Sequence, residues 1–277
     1  MSTIKTTILL VFLCLPALAQ AQKSTTIPFE ISPYGLIFTE VTINGKTVRA
    51  MIDFGQPHLL MVSTSLIHEQ QIETRDSKKR GYDINGNEMA FREGEVNELR
   101  VQELSIKTVT FSSVPNEMES VSQQIGTRFD AALGWGFFSK YFFTLDYSAE
   151  KITLHSKAQT PEGSFEVPYD KNGSYMMLNT KLGKQAAKLI IDTGAPVSTL
   201  HSGFTKEVAT IKNQYGQPTQ KLKTAIGPKK LEVEYELRDL SVLKPLKVVG
   251  IIGGDLLKQY TISINPQAQT MHWKRVG

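Results

Sequence analysis

The chain has 277 residues, of which 40% are hydrophobic and 21% are charged, and its formal net charge at pH 7 is +4. This length and this hydrophobic share are sufficient for two domains that each build a core. The charge is small and spread out, and no basic run extends beyond residues 78–80. The composition therefore does not indicate a protein that binds nucleic acid.

Residues 1–21 have the features of a secretory signal peptide: Lys5 near the start, an apolar run over residues 8–18 and the small-residue cleavage site Ala19-Gln20-Ala21. A membrane anchor is the alternative, but the apolar run has only about half of the roughly 20 residues that span a bilayer. Cys14, the one cysteine of the chain, lies inside this segment. We therefore expect an exported protein, periplasmic or extracellular, whose mature part has no disulfide and no stable membrane insertion.

Short segments rich in β-branched and aromatic residues alternate with Gly, Asn, Pro and Asp turn signals, which predicts an all-β fold. Clear strand signals cover residues 36–43, 108–111 and 231–237. Helical signals are confined to short pieces, at residues 65–71, 137–140 and 255–258.

The two halves of the chain carry the same landmarks in the same order. In each, an apolar strand leads into an aspartate triplet, Asp53-Phe54-Gly55 in the first half and Asp192-Thr193-Gly194 in the second. In each, an apolar segment further along ends in a glycine, Gly134 and Gly253. These landmarks, repeated in the same order, predict an internal duplication.

A polar segment punctuated by proline and glycine, residues 156–164, separates the two copies. It predicts an N-terminal lobe over residues 22–156 and a C-terminal lobe over residues 157–277, with a cleft between them. Both lobes lie in one chain, so we expect a monomer.

On these motifs the chain resembles the clan of aspartic proteases that includes retropepsins and pepsins, in a two-lobed, exported form of bacterial type. The resemblance is carried by Asp192-Thr193-Gly194-Ala195, by the later Ile251-Ile252-Gly253, and by the matching frame of the first half. It implies two tandem acid-protease-like β lobes and a catalytic pair, Asp53 and Asp192, that uses neither a metal nor an organic cofactor.

The chemistry of such a pair explains why two aspartates are needed. Two adjacent carboxylates cannot both ionise at low cost, so one of them stays protonated, as is known for aspartic protease dyads. The charged partner takes a proton from a bound water, and the protonated partner polarises the carbonyl of the peptide bond. The sequence alone does not tell which of Asp53 and Asp192 takes which role.

Four glycines are predicted to support the pair. Gly55 and Gly194 would allow the chain to turn beside the carboxylates at φ angles that other residues avoid. Gly134 and Gly253 would let a neighbouring strand approach closely.

The resemblance also implies that the Thr193 hydroxyl crosses between the lobes and braces the opposite loop. Phe54 departs from the Thr or Ser that the family has at the equivalent position, so one half of the brace is missing. We expect its ring to pack against apolar residues of the opposite lobe.

A hairpin is predicted over residues 80–89, around the turn Asn85-Gly86. It follows the first aspartate where the family carries a flap over its cleft, which makes Tyr82 and Gly86 candidate flap residues. An ordinary surface hairpin is the alternative. Residues 214–226 occupy the matching interval of the second lobe, with a less clearly defined turn.

Three interpretations follow. The first is an exported aspartic endopeptidase that acts on a peptide or protein substrate. The second is a catalytically silent module that only binds peptides; Phe54 favours it, whereas the two aspartates and Thr193 favour the enzyme. The third is a structural protein that uses only the fold.

Overall fold

The structure, a computed structural model, describes residues 24–83, 86–172, 174–205 and 208–277. The predicted signal peptide, residues 1–21, lies outside these ranges, as do Ile84 and Asn85 of the predicted flap turn. Within the described ranges, no helix is long and apolar enough to cross a membrane. The all-β prediction is confirmed, because strands grouped in three sheets make up most of the described chain.

The N-terminal half contains eleven strands and three short helices. The strands are β1 (Thr25–Pro28), β2 (Glu30–Ile31), β3 (Ile37–Ile43), β4 (Lys46–Asp53), β5 (Leu60–Val62), β6 (Thr74–Tyr82), β7 (Glu88–Val101), β8 (Leu104–Ser113), β9 (Ala131–Gly134), β10 (Phe142–Asp146) and β11 (Lys151–His155). The helices are α1 (Thr64–Glu69), α2 (Glu117–Ile125) and α3 (Trp135–Phe138). The sequence predicted α1 and α3 but not α2.

The C-terminal half repeats this series with fewer helical residues. Its strands are β12 (Phe165–Pro168), β13 (Asp170–Asn172), β14 (Tyr175–Leu182), β15 (Gln185–Ile191), β16 (Thr199–His201), β17 (Ile211–Lys212), β18 (Pro218–Ile226), β19 (Lys229–Arg238), β20 (Gly250–Ile252), β21 (Tyr260–Asn265) and β22 (Thr270–Arg275). Its helices are the 3₁₀ helix η1 (Ser241–Leu246) and α4 (Gly254–Leu257), of which the sequence predicted α4.

Each half builds one eight-stranded sheet, and the two sheets have the same strand order. The first runs β2-β3-β4-β9-β5-β8-β7-β6 and the second β13-β14-β15-β20-β16-β19-β18-β17. The extra pairings, β3 with β7 and β14 with β18, also match. This identity of topology supports the internal duplication.

A third sheet joins the halves. Its six strands run β1-β11-β10-β21-β22-β12, so that three strands of one half lie beside three of the other. At its centre β10 pairs with β21, and the hydroxyls of Thr144 and Ser263 lie 2.9 Å apart. These two residues occupy equivalent places in the duplicated sequence, so the approximate two-fold axis passes between them.

Local sequence explains the hairpins that carry the aspartates into place. Asn44 and Gly45, between β3 and β4, both have positive φ angles, 48° and 85°, as a tight two-residue hairpin turn requires. Along β4 buried residues alternate with more exposed ones up to Asp53. One continuous apolar cluster underlies both halves, and the two tryptophans, Trp135 and Trp273, are buried in it.

Candidate active site

Asp53 and Asp192 occupy equivalent places in the two sheets. Asp53 is the last residue of β4, which runs parallel to β9, and its Cα lies opposite that of Gly134. Asp192 follows β15, which runs parallel to β20, and its backbone N–H donates to the carbonyl of Ile252 over 3.0 Å. Each aspartate therefore leaves the sheet beside the equivalent glycine-ending strand.

The two aspartate loops are held against each other by Thr193. Its hydroxyl donates to the carbonyl oxygen of Ile52 over 2.8 Å and accepts from the backbone N–H of Phe54 over 3.0 Å. The Thr193 side chain is fully buried. This hydroxyl crosses between the two halves, as the resemblance implies.

The glycines of the triplets provide space, and this corrects the prediction that they need special backbone angles. Neither Gly55 nor Gly194 is among the residues with positive φ. A Cβ on Gly55 would lie 2.4 Å from Cγ of Asp192, and a Cβ on Gly194 would lie 2.5 Å from Cγ of Asp53. Each glycine thus packs directly on the aspartate of the other half, where any side chain would displace the carboxylate.

Gly134 and Gly253 are also at close backbone contacts. A Cβ on Gly134 would lie 2.1 Å from the carbonyl oxygen of His58, and one on Gly253 would lie 2.6 Å from that of Ala195. Both contacts are made with the chain that follows the aspartate of the same half. The strands that end in these glycines therefore fix the course of the two aspartate loops.

The carboxyl groups of Asp53 and Asp192 lie within hydrogen-bonding reach of each other, but their surroundings differ. Oδ1 of Asp192 accepts from the backbone N–H of Gly194 over 2.7 Å and from that of Gly55 over 3.0 Å. Oδ1 of Asp53 is buried and has no hydrogen-bond partner among the residues that the structure describes. The pair is therefore asymmetric, with the two short backbone N–H contacts directed at one carboxylate.

The surroundings of the pair shift the pKa values of both aspartates. Burial raises the pKa of Asp53 well above its usual value and the charge of Asp192 raises it further, whereas hydrogen bonds from the backbone N–H groups of Gly55 and Gln56 oppose the rise. Burial also raises the pKa of Asp192, but the hydrogen bonds to Asp53 and to the backbone N–H groups of Gly194 and Gly55 oppose that rise. Both pKa values are therefore raised, and the two carboxyl groups titrate as one coupled pair.

Phe54 fills a pocket of its own half. Its side chain is 1% exposed, and its ring packs edge-on against Phe138, Phe143 and Trp135 at centroid distances of 5.1, 5.6 and 5.9 Å. All three partners belong to the N-terminal half, so our prediction of ring contacts with the opposite lobe is wrong. The backbone explains this, because the Phe54 N–H already faces Thr193 and the side chain points back into the aromatic cluster.

The candidate flap residues lie on a long hairpin formed by β6 and β7. Tyr82 ends β6 and is 59% exposed, and Gly86 has a φ of 85° with open space where a Cβ would be. In the described part of the chain no hydrogen bond or ring contact links Tyr82 to the aspartates, and its position facing a substrate stays a prediction.

The second half has a hairpin with the same tip. In the first, the N–H of Asp83 donates to the carbonyl of Asn87 and the Asn87 N–H to the Asp83 carboxylate. In the second, Asn213 and Gln217 make both of these hydrogen bonds in the same way. The turn of the second hairpin was less clearly defined in the sequence. Both tips nevertheless have an acid or amide residue followed by a glycine three residues later, Asp83 with Gly86 and Asn213 with Gly216. The strand leading to the second tip is shorter, two residues in β17 against nine in β6.

A family model described as "Aspartyl protease" matches residues 39–137. The matched segment contains Asp53, Gly55 and Gly134 but not Asp192, so it supports an aspartic protease family from the first half of the site. No curated protein matches the chain.

Sequence analysis missed one residue at this site, Tyr175. It begins β14, and the charges of Asp53 and Asp192 both act on its phenol. A signal was present in the hairpin, because counting outward from the Gly183 turn brings Tyr175 opposite Asp192.

Proposed function

We propose that the protein is an exported, monomeric aspartic endopeptidase of the two-lobed retropepsin-like or pepsin-like kind, with Asp53 and Asp192 as its catalytic pair. The observation that carries this proposal is the meeting of the two carboxyl groups in equivalent loops that Thr193 holds together. The aspartyl protease match over the first half supports the same reaction class.

In this mechanism Asp192 is the general base and Asp53 the general acid. A water bound between them loses a proton to the Asp192 carboxylate as its oxygen attacks the carbonyl carbon of an extended peptide. Asp53 donates its proton to the carbonyl oxygen, so that a neutral gem-diol is formed. Asp192 then gives its proton to the amide nitrogen while Asp53 takes a hydroxyl proton from the gem-diol. The C–N bond breaks to give a carboxylic acid and an amine, and the one proton of the pair is again on Asp53.

Phe54 is compatible with this mechanism. The single bridge from Thr193 reaches both Ile52 and Phe54, which flank Asp53 in the chain, and so fixes both sides of that aspartate. The aromatic rings that pack against Phe54 also hold the same loop in place. Packing thus replaces the missing hydroxyl as the support of the first loop.

The test is peptide hydrolysis over a broad peptide library, from acidic to neutral pH. We expect the purified mature protein to cleave, and Asp53→Asn and Asp192→Asn each to lower kcat by at least about 100-fold, since each removes a proton-transfer group. Asp76→Asn is the matched control, because the Asp76 side chain is 94% exposed and far from the pair in the sheet. Cleavage that persists in both active-site variants would assign the activity elsewhere.

The silent peptide-binding module is the second candidate, and Phe54 is the observation that favours it. It predicts that the wild-type protein binds peptides in calorimetry but cleaves none of the library at any pH. Export and the monomeric state are tested separately, by cell fractionation of the full-length protein and by sedimentation of the mature protein.

A further inference from the structure

We propose that the Tyr175 hydroxyl is a substrate-binding group, which donates a hydrogen bond to a backbone carbonyl of a peptide bound beside Asp192. The inference rests on the proposed function for the identity of the ligand. The position of Tyr175 itself is independent of that function.

Strand register places Tyr175 next to the aspartate pair. In the antiparallel β14–β15 ladder Met177 lies opposite Ile190. The ladder ends at this pair, and extending its register by two residues directs Tyr175 towards Asp192, which follows β15. Directly opposed residues of an antiparallel pair point to the same face, with Cβ atoms about 5 Å apart. Tyr175 and Asp192 therefore face the same side of the sheet.

The Tyr175 side chain is available to a ligand. It is partly exposed, and in the described part of the chain its hydroxyl has no hydrogen-bond partner. Its ring packs on the edge of a small apolar cluster formed by Met177, Ile190 and Val248, which holds the ring in place. A ring fixed at its base with an unused hydroxyl is suited to recognise a polar group of a bound molecule.

The chemistry of the site makes this hydroxyl a donor. Burial raises the pKa of Tyr175, and the neighbouring Asp53 and Asp192 carboxylates raise it further, so the phenol stays protonated at neutral and acidic pH. The polar groups along an extended peptide are backbone N–H and C=O groups. A protonated phenol can donate a hydrogen bond to a C=O group of the peptide. The charged Asp192 carboxylate beside it only accepts, so it cannot bind that group.

The duplication shows that this group is specific to one half. The residue in the same register of the first half is Leu36, since Phe38 lies opposite Met51 and two further residues bring Leu36 opposite Asp53. Leu36 is buried and has no polar side-chain atom. The two sides of the pair therefore offer a ligand different surroundings, a hydrogen-bond donor beside Asp192 and an apolar side chain beside Asp53.

Tyr147 provides a matched control. Like Tyr175 it is a tyrosine influenced by the charge of Asp192, and its hydroxyl has no hydrogen-bond partner. Unlike Tyr175 it is buried, so a bound peptide does not reach its hydroxyl. Tyr147→Phe thus removes the same atom from the same electrostatic surroundings without touching the ligand.

The experiment compares Tyr175→Phe, Tyr175→Leu and Tyr147→Phe with the wild type in peptide hydrolysis and thermal melting. We expect Tyr175→Phe to lower kcat/KM by roughly 3- to 10-fold, mainly through a higher KM, with an unchanged melting temperature. Tyr175→Leu, which introduces the residue type that Leu36 provides in the first half, should lower kcat/KM at least as much. Tyr147→Phe should stay within about twofold of wild type. Equal kinetics for Tyr175→Phe and wild type would overturn the inference.

A second measurement separates this inference from the proposed function. The probe is a peptide in which a secondary alcohol replaces the scissile carbonyl, and its Kd is measured by calorimetry. If the wild type binds this peptide without cleaving any substrate, the proposed function fails, and the same roughly 3- to 10-fold weaker binding to Tyr175→Phe still supports the donor role. If the wild type neither cleaves nor binds peptides, the inference is rejected, because it requires a bound peptide.

Discussion

Replacing Thr193 by valine should destabilise the protein far more than the loss of one surface hydroxyl would. Valine keeps the shape of threonine but can neither accept from the N–H of Phe54 nor donate to the carbonyl of Ile52. Both backbone groups then stay at the junction of the two halves, where the Thr193 side chain is 0% exposed. A buried polar group that loses its partner costs about 1–3 kcal/mol, so the free energy of unfolding should fall by about 2–5 kcal/mol.

Thr199→Val is the matched control for this change. Thr199 lies in β16 of the same half and is also buried, at 6% exposure, but its Oγ1 has no hydrogen-bond partner. Removing an unsatisfied buried hydroxyl is neutral or stabilising, so we expect this variant to unfold at the same urea concentration as the wild type or a higher one.

The assay is urea unfolding at fixed pH, followed by tryptophan fluorescence and compared at equal m-values. Trp135 and Trp273 are the two tryptophans of the chain and lie in different halves, so one signal reports on both. A cost of Thr193→Val no greater than that of Thr199→Val would refute the bridging role.

Three further predictions concern the residues around the bridge. Asp53→Asn should stabilise the protein more at pH 7 than at pH 4. A carboxyl with a raised pKa contributes stability below its unfolded-state pKa, and this contribution is lost as the pH rises through the folded-state pKa. An equal change in melting temperature at both pH values would contradict this prediction. Phe54→Thr should lower the free energy of unfolding, measured in urea, by about 2–3 kcal/mol, because the cavity left among three aromatic rings costs more than one regained hydrogen bond contributes. A more stable variant would show that the ring contacts are unimportant. Gly194→Ala should abolish peptide cleavage, because the added Cβ displaces the Asp53 carboxyl. The control Gly203→Ala, whose Cβ would meet no atom closer than 3.5 Å, should cleave like the wild type. Full activity of Gly194→Ala would contradict the steric argument.

Repeated landmarks were sufficient to predict the fold. The aspartate triplets and the glycine-ending segments predicted two β-rich copies in which a glycine-ending strand passes close to the aspartate, but not that this strand pairs in parallel. These features are visible in the sequence because close backbone approach restricts them to glycine, and burial on both faces restricts their neighbours to apolar residues. The short helices α1, α3 and α4 carried recognisable apolar runs as well. Helix α2 did not, since only Met118 of its residues is buried.

Side-chain directions were beyond the sequence. Nothing in Asp53-Phe54-Gly55 indicates that the phenyl ring turns back into its own half, because this follows from which backbone group Thr193 occupies. The distribution of hydrogen bonds between the two carboxylates has the same origin. A symmetric pair of triplets predicts equal aspartates, whereas the N–H of Gly55 points at Asp192 only once both loops are in place.

The contact between Thr144 and Ser263 marks an axis across which the chain meets its own second copy. In an assembly of two identical subunits, any substitution in the aspartate loop would appear on both sides of such an axis at once. Here each side is encoded separately, so Phe54 stands opposite Thr193, and Leu36 occupies one strand position where Tyr175 occupies the other. Linking two copies in one polypeptide thus allows the two copies to differ, with packed aromatic rings around the residue after one aspartate and a tyrosine near the other.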